Sequence, residues 1–312
     1  MTWALVAVLG YFFNAVAAVF DKYLLSDRIP TPAVYAFFVS LFSLFALGFI
    51  PFGFQFLDPH TTGVLLFSGF LFVYGLVAFY TAVKQHEVSR VSPLVGTVTS
   101  LTAFLIIFFP GVSGEVNVDI WYILALTLLI VGGLLISFDL PLRRGEHISR
   151  FVLVAGICIG FSLILLKNGY AQSNFVSGLV WSRLGMFLAG LSLLLFSPFR
   201  RQILSQFHGF RHRSKRAAGT GALFLINKTT AGIATFLISY ATFLGSVSFV
   251  QALSGMQYVF LLLMTLPLSL RFPHIFGERL LFWDWFQKVA AVAIIGLGLW
   301  LATLSGVPLI LI

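Results

Sequence analysis

Ten apolar runs of about 20 residues follow one another through this chain, joined by connections too short to hold a folded domain. They cover approximately residues 2–25, 32–52, 62–83, 88–109, 118–138, 151–170, 175–197, 219–242, 246–270 and 285–305. A helix that crosses a bilayer needs roughly 20 predominantly apolar residues at about 1.5 Å of rise each, so every run is long enough for one crossing. Inside hydrocarbon the backbone must satisfy its own N–H and C=O groups, and isolated runs of this length do so as helices. The fold expected is an all-α polytopic membrane protein of ten transmembrane helices. Charged residues make up 9% of the chain and apolar ones 59%, with a mean hydropathy of +1.02, whereas soluble domains carry roughly 25% charge.

The basic residues are unevenly placed. Connections after odd-numbered runs hold Arg28, Lys84, Arg90, Arg143, Arg144, Arg150, Arg200, Arg201, Arg211, Arg213, Lys215, Arg216, Arg271 and Arg279, and those after even-numbered runs hold none beyond Lys167 at the end of run six. The bias of Lys and Arg toward cytoplasmic loops then puts the odd connections inside and both termini outside. The net charge of +9 is thereby explained by topology, and no nucleic-acid partner is expected. The first run has neither a basic segment before it nor a small-residue cleavage site after it, and reads as a retained span in a plasma or bacterial-type inner membrane.

The chain also repeats itself. Val88–Gly96 lines up with Val247–Gly255 at an offset of 159, and Gly114-Glu115 with Gly277-Glu278 and Gly133 with Gly296 at an offset of 163. Matches in order at nearly one offset indicate a duplicated unit, with halves at 1–145 and 146–312. Five spans per half is an odd number, so the second half enters the membrane inverted relative to the first. Transporters recurrently use such inverted repeats, with the substrate held near the midplane between them.

Ten short spans in two halves, the small-polar openings of runs four and nine, and the Gly-Glu steps at Gly114-Glu115 and Gly277-Glu278 resemble the drug/metabolite transporter superfamily, and within it the EamA-type transporters. The resemblance covers essentially the whole chain. It implies a secondary transporter, not an enzyme, which moves a small metabolite by alternating access, often outward. Ten-span members are usually drawn with both termini in the cytoplasm, the reverse of what the charges of this chain give.

Candidate site residues are the polar groups inside apolar runs, because an intramembrane charge is costly and must face protein, water or a ligand. Lys228, with Asn227 beside it, reads as a cationic anchor for a carboxylate or phosphate near mid-depth. Arg183 offers a planar fork suited to the same groups. Lys22 and Lys167 align as repeat equivalents and read as anchors at span ends or as site residues. Asp21 is the acid nearest a span interior; it is expected to pair with Lys22 or Arg28, or to carry a coupling proton. Gln251, preferred over Gln257, joins Asn14 and Tyr258 as a lining candidate, with Tyr74, Tyr80 and Tyr240 as further tyrosines that could line a cavity or sit at an interface. Pro93 and Pro267 interrupt runs four and nine and could serve as hinges. Gly156 and Gly160 form a GxxxG in run six, a helix-packing motif.

Six histidines at 60, 86, 147, 208, 212 and 274 fall in connections without ligand spacing, and Cys158 stands alone. No metal site, disulfide or cofactor is expected, and no phosphate-cradling GxxxxGK[ST] is present. The long connection Arg200–Arg216 reads as a topology determinant that attracts anionic lipid. The reading reached is a transporter of a small carboxylate- or phosphate-bearing metabolite (an amino acid, organic acid or sugar phosphate), working as an exporter or exchanger, with a cavity built by spans one, three, four, six, eight and nine. Mid-membrane charge is expected to be net positive with no buried acid to balance it. Its partners would be the substrate, the bilayer and a coupling proton or counter-substrate. A flippase of the same fold and a polytopic enzyme acting on lipid-linked substrates are the alternatives.

Overall fold

The computed structural model describes residues 2–24, 31–86, 88–106, 120–137, 150–209, 215–271 and 282–304. Among these residues all regular structure is helical, with no strand. The helices are α1 (Thr2–Tyr23), α2 (Pro32–Phe42), α3 (Pro59–Gln85), α4 (Val88–Ile106), α5 (Ile120–Ser137), α6 (Arg150–Ala171), α7 (Phe175–Leu193), α8 (Ser197–Gly209), α9 (Lys215–Leu244), α10 (Val247–Ala252), α11 (Ser254–Arg271) and α12 (Phe282–Leu304). Six segments are long and apolar enough to cross a bilayer: Trp3–Tyr23, Pro32–Phe52, Pro59–Gln85, Arg150–Ala171, Phe175–Leu193 and Gly221–Leu244. Side chains such as Leu5, Phe45, Phe67, Leu188 and Leu263 stand on the exterior, where hydrocarbon is the solvent they suit. The chain is a multi-pass membrane protein.

The helices alternate in direction. Asn174, ahead of α7, donates to Gly53 O at 2.8 Å beyond the end of the second span, and Thr61 Oγ1 donates to Gln172 Oε1 at 2.8 Å, so these connections share one end of the bundle. At the other end α1 finishes against the end of α3, and Ile203 of α8 packs beside Val34 at the start of α2. Asp58 Oδ2 caps α3 through Thr61 N at 2.9 Å, and Asn174 Oδ1 caps α7 through Ser177 N at 2.7 Å. Gly53 closes the second span at φ 104°, a left-handed conformation that favours glycine.

Three elements differ from the apolar runs that anticipate them. The second span is α-helical only to Phe42 and continues as a 3-10 helix over Ser43–Phe52. Ser40 Oγ donates to Phe37 O at 2.7 Å and Ser43 Oγ to Ser40 O at 2.6 Å, local bonds that compete with the α pattern where it gives way. At about 2.0 Å of rise per 3-10 residue, the composite reaches roughly 36 Å, enough to cross. The ninth run breaks at Leu253, between α10 and α11, and not at the expected Pro267, which lies inside α11. Likewise α4 runs unbroken through Pro93. The connection after run seven is no plain loop, since Ser197–Gly209 of it forms α8.

Packing pairs helices before residue 145 with helices after it: α3 lies on α6, α1 on α9, α4 on α6, α1 on α11, and α5 on α12. The GxxxG motif seats α4, with Gly156 facing Val98 and Gly160 facing Thr102. Between α3 and α7 the backbones themselves meet: a Cβ at Gly69 would overlap Ser182 O, and one at Gly185 would overlap Leu66 O.

Candidate functional site

Lys228 arises on α9, where an apolar sequence forces its ammonium to find a partner within the bundle. That partner is Asp21, in the last turn of α1: Nζ to Oδ1 is 3.1 Å, and both residues are buried. The same Oδ1 accepts from Asn227 Nδ2 at 2.5 Å and from the Tyr35 hydroxyl. Asn227 Nδ2 also reaches Tyr35 Oη at 3.0 Å. One carboxylate oxygen thus gathers three donors from α2 and α9. The ammonium rests over the rings of Tyr35 at 4.3 Å, Phe224 at 5.3 Å and Tyr80 at 6.0 Å, where the negative ring faces add to its stabilisation. Asn227 Oδ1 is buried in this cluster without a hydrogen-bond partner, an acceptor left open to a water or a ligand N–H.

This geometry corrects one expectation. A buried acid does balance Lys228, and it is Asp21, reached across the bundle; Arg28, one of the partners expected for Asp21, lies outside the described residues. Asp21 is two residues from the end of α1, and Lys228 lies thirteen residues after the start of the 30-residue α9.

Arg183 is a second, partly buried cation, eight residues into the nineteen of α7. Its Nη1 donates to Met186 Sδ at 2.8 Å and its Nη2 to Ser239 Oγ at 3.2 Å, while its backbone oxygen accepts from Ser43 Oγ at 2.9 Å. Every acceptor its guanidinium uses is neutral, and among the described residues no carboxylate pairs with it. Aromatic side chains gather on the adjoining stretch of α9, where Phe236, Tyr240 and Phe243 stack in sequence and Phe175 packs against all three. Ser239 lies eleven residues beyond Lys228 on α9, about 16 Å of helix rise. The two predicted cations therefore occupy separate levels of the bundle.

Lys22 and Lys167 are placed by helix ends. Lys22 Nζ donates to Val83 O at 3.4 Å and His86 O at 3.2 Å, at the end of α3. Lys167 Nζ donates to Thr242 O at 3.0 Å and Phe243 O at 2.8 Å, at the end of α9. Terminal carbonyls lack intrahelical partners and carry the negative pole of the helix dipole, so an ammonium there is a cap. Asn14 Nδ2 donates to Gln257 Oε1 at 3.0 Å between α1 and α11, so the structure joins Asn14 to Gln257. The side chains of Gln251, Tyr258 and Pro93 lie outside those described, as do Glu115 and Glu278 entirely. Of the other tyrosines, Tyr74 bonds Ser192 at 2.9 Å and Tyr240 is exposed.

Tyr35, Phe224 and Ser239 were not anticipated. Tyr35 and Ser239 each bring a hydroxyl into a largely apolar run, but Ser40 and Ser43 in the one and several threonines in the other do the same, so the signal is weak; Phe224 is indistinguishable by sequence from the other phenylalanines.

No family model and no curated protein matches the chain. A solved protein crystal structure is similar over 96% of this chain and 98% of its own, with a TM-score of 0.63 at 14% identity. At that identity the likeness shows a shared fold, adopted along nearly the full length of both chains.

Proposed function

We propose that this protein is a secondary transporter that carries a small carboxylate- or phosphate-bearing metabolite by alternating access between two inverted five-helix halves. The observation that carries the reading is Arg183, a guanidinium in the middle of a membrane-crossing helix with neutral partners alone among the described residues. A lone arginine at a helix centre in hydrocarbon costs about 2.5–3.5 kcal/mol or more, and such groups mark substrate and ion pathways. An anion held by the fork would offset that cost and gain two parallel charge-assisted hydrogen bonds. The aromatic side chains of α9 beside it supply an apolar wall for the rest of the molecule.

Internal symmetry supports the transport half of the proposal. If α1, α3 and α4 correspond to α6, α9 and α11, exchanging the halves turns α3 on α6 into α9 on α1, and α4 on α6 into α11 on α1, while α5 on α12 maps to itself. The two capping lysines exchange as well, since each ends the first span of its half and holds the end of the third. Alternating access needs two halves that can exchange conformations around one site. Asp21 and Lys228 then belong to the moving interface between α1 and α9, where a buried pair that closes in one state and opens in another would couple binding to rearrangement.

The test is counterflow in proteoliposomes preloaded from a panel of amino acids, organic acids and sugar phosphates. Wild-type protein should accumulate at least one labelled anion. Arg183→Gln should reduce that flux at least ten-fold with an unchanged elution profile, and Arg183→Lys should retain part of it. Undiminished flux in Arg183→Gln would overturn the assignment.

A further inference from the structure

The helix α8 takes no part in the sites described above, yet its faces are sharply divided. It runs for 13 residues, Ser197–Gly209, in the connection between two membrane-crossing helices. Ile203 is fully buried with Val34, Phe37 and Leu193, which fixes how the helix is rolled against the starts of α2 and the end of α7. The roll leaves Arg200, Arg201 and Leu204 exposed. At about 100° per residue, Leu204 falls between Arg200 and Arg201 around the axis. The exposed arc therefore carries Leu204 between the two cations on one flank, with the exposed Gln202 and Ser205 on the side of Arg201. Leu195 and Phe196, just ahead of α8, are 81% and 49% exposed and extend the apolar strip.

Neither arginine pairs with a carboxylate among the described residues, and α8 contains no acid. Water alone would explain exposed arginines but not the leucine between them or the apolar residues preceding them. An interfacial helix shows this pattern: cations at headgroup level and apolar side chains at the acyl boundary. The position fits, because α8 packs at the rim of a bundle whose outer surface is apolar, level with the ends of the spans.

We infer that α8 is a membrane-surface helix whose Arg200 and Arg201 bind the phosphates of anionic phospholipids, with Leu204 seated between their acyl chains. The partner is the leaflet at the end of the bundle that also carries Lys22 and Lys84. Basic residues at an anionic surface each contribute enough to change lipid association roughly five-fold at low salt, and the effect decays within a Debye length.

The experiment measures association of spin-labelled phosphatidylglycerol and phosphatidylcholine with the full-length protein in mixed vesicles. Wild type should prefer phosphatidylglycerol, and the R200Q/R201Q double variant should lose that preference by roughly five-fold or more. Raising the salt should erase the difference between them, and free inorganic phosphate should not displace the labelled lipid from wild type. Leu204→Ser should weaken association with both lipids. Thermal stability of each variant in detergent reports that the bundle is intact, since the three side chains face outward. Equal preference in wild type and R200Q/R201Q would overturn the assignment, as would full competition by inorganic phosphate; a soluble protein partner for α8 would give the first result.

Discussion

Three donors converge on a single oxygen of Asp21, and this makes the cluster more sensitive to losing one partner than to losing its charge altogether. Removing one member of a buried pair leaves the other uncompensated and costs about 3–5 kcal/mol, whereas replacing both with neutral groups of similar volume is often close to neutral. Lys228→Met alone should therefore lower the melting temperature strongly, and Asp21→Asn with Lys228→Met should recover most of the loss; additive losses in the double variant would contradict the pairing. Asp58 behaves in the opposite way because it is exposed. The Thr61 backbone N–H, and then its side chain, hold the Asp58 carboxyl below its ordinary range. A depressed carboxyl contributes stability that is complete above its unfolded value, about 4, and lost as pH falls through the folded one. The stability difference between wild type and Asp58→Ala should be constant near neutrality and shrink below about pH 4, as thermal melts across that range would record. Lys228, Asn227 and Arg183 were legible in the sequence as polar interruptions of apolar runs. Their partners were not, because Asp21 and Lys228 stand 207 residues apart and only the fold joins them.

Among the elements, α3 and α7 illustrate close approach most clearly. Gly69→Ala or Gly185→Ala forces methyl groups into facing backbone, an overpacking that costs about 1–3 kcal/mol. Gly232, in α9, has open space around it, so Gly232→Ala should be neutral or stabilising by about 0.5–1 kcal/mol through helix propensity. Melting temperatures in one detergent would separate the two outcomes; equal effects would contradict the packing. Hydrophobic periods and punctuation located the helices but not their irregularities. The passage of the second span into a 3-10 helix depends on where Ser40 and Ser43 direct their hydroxyls. The break at Leu253 has no proline or glycine at it to announce it, while Pro267, which would announce one, stays inside a helix. The turn of α8 within a basic connection was hidden because charge dominated its composition; the buried Ile203 shows why it is nonetheless ordered against the bundle.

For the whole molecule, composition alone was enough to place the chain in a membrane, since ten apolar runs leave no material for a soluble core. The proposed duplication rests in the sequence on small-polar matches near one offset; in the structure Lys22 closes the end of α3 and Lys167 the end of α9, the arrangement a repeat would produce. The separation of the two cations could not be read in advance, because residue counts along single runs do not show how far one helix projects past another. The account rests on two halves threaded through the bilayer in opposite senses around buried charge. The most direct measurement is one-sided maleimide labelling of single cysteines at equivalent ends of the third spans, Lys84→Cys in the last turn of α3 and Ser246→Cys just after α9, in a Cys158→Ser background. Labelling of the two positions from opposite sides of sealed, oriented vesicles is the predicted result; labelling of both from the same side would contradict the inversion and the transport cycle built on it.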